Sequence, residues 1–262
     1  MPTAKTGDID TYYEVAGSGV PVVFICGIGA ELQAWRFQAD ELAKHFCVVR
    51  YDNRGAGRTS APESPYSVPQ MADDLAALLE SLGIESAHLV GWSMGGYIAQ
   101  TFARLYPKRI RKLILLATAL QPDGFVRLAI RNWMNIRRSN MSYEQIVRFV
   151  LRWQFTPAIF DNEPVFEKSV AMMASNPYAQ KADAFLRQAE ALLAYAPGDA
   201  PRLAAPTLVM VGADDNLAPP YLSERLAKAI PGATLKVMKG AHAGFLEFPG
   251  EYNKVILDFL NG

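Results

Sequence analysis

The chain has 262 residues, half of them hydrophobic and a fifth charged, with 26 Lys and Arg against 26 Asp and Glu. That composition predicts a packed globular core and excludes a disordered chain, while the even charge balance gives no footing for a nucleic-acid or acidic-membrane partner. The N-terminus lacks a basic head followed by an apolar stretch, no apolar run approaches the roughly 18 residues of a membrane span, and two cysteines cannot build a disulfide framework, so a cytoplasmic protein is expected.

In chain order, the valine-rich runs 21–26 (PVVFIC) and 46–52 (FCVVRYD) read as parallel strands buried on both faces. Cys26 and Cys47 then fall at opposite ends of neighbouring strands, which keeps them apart. Between the runs, ELQAWRFQADELAKHF has the apolar spacing of a helix. Ser67 and Pro69 open a second helix, with apolar residues at Met71, Leu75, Leu78, Leu79 and Leu82, and Gly83 closes it. Residues 87–92 read as a strand, MGGYIAQTFARLY as a helix stopped by Pro107, and 111–118 as another strand.

Residues 119–204 carry no strand signal. They are helix-like, rich in arginine, methionine and aromatics, and punctuated by Pro157, Pro164, Pro177 and Pro197. Alternation resumes with a strand and loop at 205–215, a helix in PYLSERLAKAI, a strand and loop in ATLKVMKGAH and a last helix in EYNKVILDFL. The expected fold class is α/β: a mostly parallel central sheet flanked by helices, formed by 1–118 and 205–262, with 119–204 inserted as a helical cap over the carboxyl edge. Ligands of such sheets bind outside that edge.

One motif there carries chemistry. Gly91, Ser93 and Gly95 form Gly-x-Ser-x-Gly between a strand and a helix, where a cramped turn thrusts the hydroxyl above the sheet. A serine needs a base to take its proton, and the base needs an anion to hold it. The three histidines are His45, ending a helix, His88, at the wrong end of its strand, and His242, which follows the last strand at the correct edge. For the acid, Asp214 and Asp215 both follow the strand 207–211, with Asp123 as a third candidate. Oxyanion donors are expected at the backbone N–H of Met94, after the nucleophile, and of Ile28, in the CGIGA loop.

With GWSMGG, YDNRGAGRTS, PTLVMVGADDNLAP and GAHAGFLEFP in hand, the chain resembles the α/β-hydrolase superfamily over nearly its full length. The resemblance implies the α/β-hydrolase fold. Its Gly-x-x-Asp-x-x-x-Pro pattern, met here by Gly212 and Pro219, implies Asp215 as the acid. It is nearest to the serine esterase, enol-lactonase and cofactor-free haloperoxidase branch, with no metal or cofactor. Dehalogenases and epoxide hydrolases of this fold have aspartate where this chain has Ser93. Relatives usually have His-Gly before the oxyanion loop; this chain has Cys26-Gly27, a change that bears on the packing of that loop.

The expected function is cleavage of a small, largely apolar carboxylic ester or lactone through an acyl-enzyme, using Ser93, Asp215 and His242. A perhydrolase using the same triad and a ligand sensor that keeps the triad are the alternatives. Arg54, Arg58 and Ser60 in YDNRGAGRTS read as turn structure ahead of ligands. Trp92 either lines the acyl pocket or packs beneath the following helix. Between Phe125 and Phe155, six arginines lie among aromatics with one acidic residue, Glu144. Helical spacing favours arginines in water; the sharper reading turns one inward to a substrate carboxylate. Oligomeric state is open.

Overall fold

Runs of β-branched and leucine residues too short for helices become the interior strands of one sheet. The computed structural model describes residues 2–197 and 203–262. Its strands are β1 (Thr3–Thr6), β2 (Ile9–Ala16), β3 (Pro21–Ile25), β4 (Cys47–Tyr51), β5 (Ala87–Trp92), β6 (Ile110–Leu116), β7 (Thr207–Gly212) and β8 (Thr234–Met238). They lie in the order β1-β2-β4-β3-β5-β6-β7-β8. From β4 to β8 all neighbours are parallel, so their carboxyl ends share one edge. The strand order reverses between β3 and β5, and the crevice at such a reversal is where α/β sheets bind ligands.

Alternate residues of each interior strand enter different apolar layers. Val23, Leu89 and Leu115 face one layer; Val22, Val90 and Leu116 face the other. Helices α2 (Val68–Ser81), α3 (Met94–Leu105) and α9 (Pro220–Ala229) cover the first face. Helices α1 (Arg36–Leu42) and α11 (Pro249–Asn261) cover the second, with the one-turn α10 (Gly244–Glu247) leading into α11. The predicted α2 begins as its residues dictate: the Ser67 side chain accepts from Gln70 N, and Gly83 beyond it has φ +67°.

Two details differ from expectation. ELQAWRFQADELAKHF is a 3-10 turn, Leu32–Trp35, followed by the short α1, because Trp35 and Leu42 must both enter the core beneath β3. The N-terminal antiparallel hairpin β1–β2, with β2 antiparallel to β4, was not among the predicted strands. Its two-residue turn, Gly7-Asp8 with Gly7 at φ +61°, is a hairpin signal of the kind glycine supplies.

Between β6 and β7 run α4 (Gly124–Arg138), α5 (Tyr143–Gln154), α6 (Pro157–Phe160), α7 (Glu163–Ala174) and α8 (Ala182–Leu193). Asp123 caps α4, a Ser142/Gln145 capping box opens α5, and Pro157 and Pro164 sit in the first turns of α6 and α7. Ile130, Trp133, Phe185 and Ala189 of α4 and α8 belong to the same apolar cluster as α2 and α3. Helices α5 and α7 pack on each other around Val147, Leu151 and Val170. Gln188 and Gln180 donate to the carbonyls of Arg54 and Gly55 at 2.8 and 2.9 Å, tying this segment to the loop after β4. The part of the expected cap at 198–202 lies outside the described residues. Among the described residues no helix is long and apolar enough to cross a membrane.

His88, at the amino end of β5 beside Phe46, is buried, and burial together with the charges of Lys112 and Arg111 pushes its imidazole down to about 4. The folded value lies below the unfolded one, so its contribution to stability is complete above about pH 6.5 and is lost as pH falls through 4. His88→Gln should remove about 2–3 kcal/mol of the stability lost between pH 7 and pH 4. Urea unfolding of both proteins across that range checks this; parallel acid profiles would count against it.

Candidate active site

Ser93 stands between the last residue of β5 and the first of α3, half-buried, with φ 54° and ψ −117°. This left-handed backbone is strained for serine, and neighbouring packing holds it. Ser93 N donates to Leu116 O at 2.9 Å, and its carbonyl accepts from Gly96 N and the Thr118 hydroxyl, both at 2.9 Å. The flanking glycines are steric requirements: a Cβ on Gly91 would lie 2.4 Å from Gly95 O, and one on Gly95 would lie 2.2 Å from Ile25 O.

His242 and Asp215 come from the loops after β8 and β7. His242 Nδ1 is 2.9 Å from Asp215 Oδ2. Both side chains are almost fully buried. The other carboxylate oxygen, Oδ1, accepts from Leu217 N at 2.9 Å and Ala218 N at 2.8 Å, so the loop itself fixes the acid's orientation. Asp214 is exposed, and its backbone N–H donates to Gly240 O. Asp123 caps α4 and accepts from the Tyr221 hydroxyl at 2.6 Å. Of the three candidate acids, Asp215 alone is hydrogen-bonded to His242.

A cavity of about 680 Å³ opens at the carboxyl edge, walled by Ser93, His242, Ile28 and Trp92 from the sheet side and by residues of α4, α5, α7 and α8 opposite. Met94 lies directly beneath, fully buried at the start of α3. Among the described residues, neither the Ile28 nor the Met94 N–H donates to a protein acceptor. For Met94 this follows from its place at the first turn of a helix, where amides lack an internal partner. The loop carrying Ile28 approaches closely: a Cβ on Gly27 would sit 3.2 Å from Ser93 Cβ.

The loop after β4 supports that approach from below. The buried Asp52 accepts from Leu32 N and Arg58 N, each at 2.8 Å, and Asn53 Nδ2 donates to Cys26 O at 2.9 Å. Burial pushes the Asp52 carboxyl up to about 6, against the pull of those two N–H bonds. Arg54 is buried and held by Asp74 and Asp8, so YDNRGAGRTS is structural at this position. Arg58 lies between the rings of Tyr12 and Tyr178. Cys26, where relatives were expected to have histidine, is a buried residue in the layer with Trp35 and Trp92, and burial pushes its thiol well up.

Trp92 does not pack beneath the following helix: its side chain lies in the apolar layer on the face of the sheet opposite α3. Its ring packs against Trp35 and Phe245, it borders the cavity, and its Nε1 donates to His242 O at 2.9 Å. The last contact, invisible in the sequence, fixes the backbone that carries the imidazole. Trp92→Phe would leave a buried carbonyl unpaired, at a cost of about 1–3 kcal/mol. A drop in urea-unfolding stability of that size, with a fall in kcat larger than any change in KM, is the expected outcome.

Among the described residues, no three His, Cys, Asp or Glu side chains gather as metal ligands. A family model described as the alpha/beta hydrolase fold matches residues 20–249. The chain is an α/β hydrolase.

Two curated relatives span almost the whole α/β hydrolase chain. A putative carbamate hydrolase, RutD, of Azorhizobium caulinodans is 34% identical, covering 99% of this chain and 98% of its own. A putative non-heme bromoperoxidase, BpoC, of Mycobacterium tuberculosis is 32% identical, covering 96% and 97%. Among solved structures, the enol-lactonase of Burkholderia xenovorans LB400 superposes with a TM-score of 0.89 at 28% identity, covering 100% of both chains.

Proposed function

We propose that this α/β hydrolase is a serine hydrolase that cleaves a small, largely apolar carboxylic ester or lactone through an acyl-enzyme. The observation that carries the reading is the buried His242–Asp215 pair, bonded at 2.9 Å, on the same cavity as a serine held in a left-handed turn. In this reading the Ser93 hydroxyl attacks the carbonyl carbon and His242 Nε2 takes its proton. Asp215, acceptor for the Nδ1 proton, selects the tautomer and stabilises the imidazolium. The free N–H groups of Ile28 and Met94 receive the developing oxyanion. His242 then protonates the leaving oxygen, and a water deprotonated by His242 cleaves the acyl-enzyme and restores Ser93.

The names of the relatives support hydrolytic chemistry while spreading over different substrates, and the ester or lactone class is inferred from the site. The bromoperoxidase name of one relative motivates a second reading in which peroxide replaces water as acyl acceptor and yields a peracid. Bromination assays with peroxide separate the two. The same reading takes a reducing cytoplasm as the setting, which the unpaired Cys26 and Cys47 support, and the small-molecule substrate as the partner.

The test is labelling with a fluorophosphonate, followed by mass spectrometry of the Ser93 peptide. The native chain is expected to gain one adduct at Ser93 and the Ser93→Ala chain none. Undiminished labelling of the variant would overturn the assignment. A panel of esters and lactones graded in acyl length then ranks substrates.

A further inference from the structure

Of the six arginines between Phe125 and Phe155, five are exposed or occupied by the protein's own acceptors. Arg127 donates to the carbonyls of Pro122 and Leu193. Arg138 lies 3.8 Å from Glu190, and Arg148 is paired with Glu144 and Glu167. Arg131 and Arg152 are exposed. Arg137 is the one of the six that lines the cavity.

Among the described residues Arg137 has one hydrogen bond, from Nη2 to the carbonyl of Gln180, and its guanidinium lies 5.1 Å from the Phe185 ring and 5.7 Å from the Tyr143 ring. Its Nε is buried without an acceptor, and among the described residues no carboxylate pairs with it. Burial without a counter-charge holds its pKa below the usual arginine value. Leaving a partly desolvated cation without a counter-charge is costly, and an anion in the cavity would offset that cost.

A second unpaired donor lies on the same face of α4. Trp133, one turn earlier on α4, also lines the cavity, and its indole Nε1 is buried without an acceptor. Residues four apart share a helix face. The carboxylates on the cavity wall do not compete for these donors: Glu31 accepts from Gln33 N, and Glu247 from Thr156 N and Oγ1. Arg36, also on the wall, lies over the ring of Phe37. The Arg137 end of the cavity is close to the oxyanion loop, because Phe185 would touch a Cβ on Gly29 at 3.4 Å.

We propose that Arg137 and Trp133 form a carboxylate-binding site in the cavity, so that the ester or lactone opened at Ser93 carries a free carboxylate. The proposal rests on the serine-hydrolase reading and names its substrate class. A planar guanidinium beside an indole N–H matches the two oxygens of a carboxylate better than a neutral acyl chain.

The experiment compares monomethyl succinate, glutarate and adipate with neutral methyl esters of equal chain length, such as methyl hexanoate, in the native chain and in Arg137→Gln, Arg137→Lys and Trp133→Phe. Arg137→Gln is expected to lower kcat/KM for the best monoester by about 10- to 100-fold while changing the neutral ester less than about threefold. Lysine should recover part of the loss, and Trp133→Phe should show a smaller loss confined to the anionic esters. The neutral ester reports correct folding. Equal losses on both esters, or none on the monoester, would overturn the site. If Ser93→Ala keeps turning over both esters, the hydrolase reading fails instead. Calorimetric binding of adipate then decides the site separately: loss in Arg137→Gln sustains it, and unchanged affinity overturns it.

Discussion

Ser93→Ala is expected to lower kcat/KM for every ester or lactone substrate by at least about 10³-fold, and His242→Ala to do the same. The double variant should be no worse than either single one, because a nucleophile without its base and a base without its nucleophile both stop the same step. Stopped assays at high enzyme concentration measure all three. Activity of Ser93→Ala within tenfold of the native chain would remove this serine from the reaction. A companion effect concerns stability. Ser93 is held at φ 54°, a conformation that costs about 1–3 kcal/mol for a residue with a Cβ. Ser93→Gly should therefore unfold at higher urea while remaining inactive, as expected of a site that keeps strain for function.

Asp215→Asn is the second large effect, about 10⁴-fold in kcat with the fold retained. Asp215 uses both oxygens as acceptors, one for two backbone N–H groups and one for His242 Nδ1. Asparagine has a single acceptor oxygen. With that oxygen kept on the two N–H groups, its amide faces Nδ1 as a donor and favours the tautomer that cannot take the serine proton. Asp214→Asn, at the exposed neighbour, should alter kcat less than twofold, as expected of a surface change outside the bonded pair. Steady-state kinetics on the two variants separate the adjacent aspartates more sharply than any change of pH.

Much of this architecture was legible along the chain because it depends on local chemistry. Parallel strands showed as valine-rich runs, α2 showed its serine cap and closing glycine, and Gly91 and Gly95 marked a turn with no room for side chains. The N-terminal hairpin is harder to read although Gly7-Asp8 marks its turn; its strands, TAKT and IDTYYEVA, mix polar and apolar residues and lack the continuous apolar runs of the sheet interior. The helix expected after β3 is shorter in the structure because apolar spacing does not distinguish a 3-10 turn from an α-helix. The site divides similarly. Ser93 and His242 follow strands whose order brings their loops to one edge, so spacing located them; it left Asp214 and Asp215 equal, and only the resemblance pointed to Asp215. Trp92 Nε1 to His242 O, and Gln188 to Arg54 O, join residues 150 and 134 positions apart, and no local pattern encodes such pairs. Arg137 looked like its neighbours, since a helix wheel shows which residues share a face but not which face meets the cavity.

The histidine loop is also stitched to the helices above it. Ala243 N donates to the carbonyl of Gln154 at 2.8 Å, and Glu247 accepts from Thr156. The end of α5 therefore cannot lift away without straining the backbone beside His242. The wall of the cavity and the loop carrying His242, the proposed proton carrier, are joined at this point, so in the proposed mechanism sequence drift near residue 154 would register as slower turnover as well as altered substrate choice. The α5–α7 pair, with its own small apolar cluster, is bound to the sheet-side loop by this seam at the end of α5.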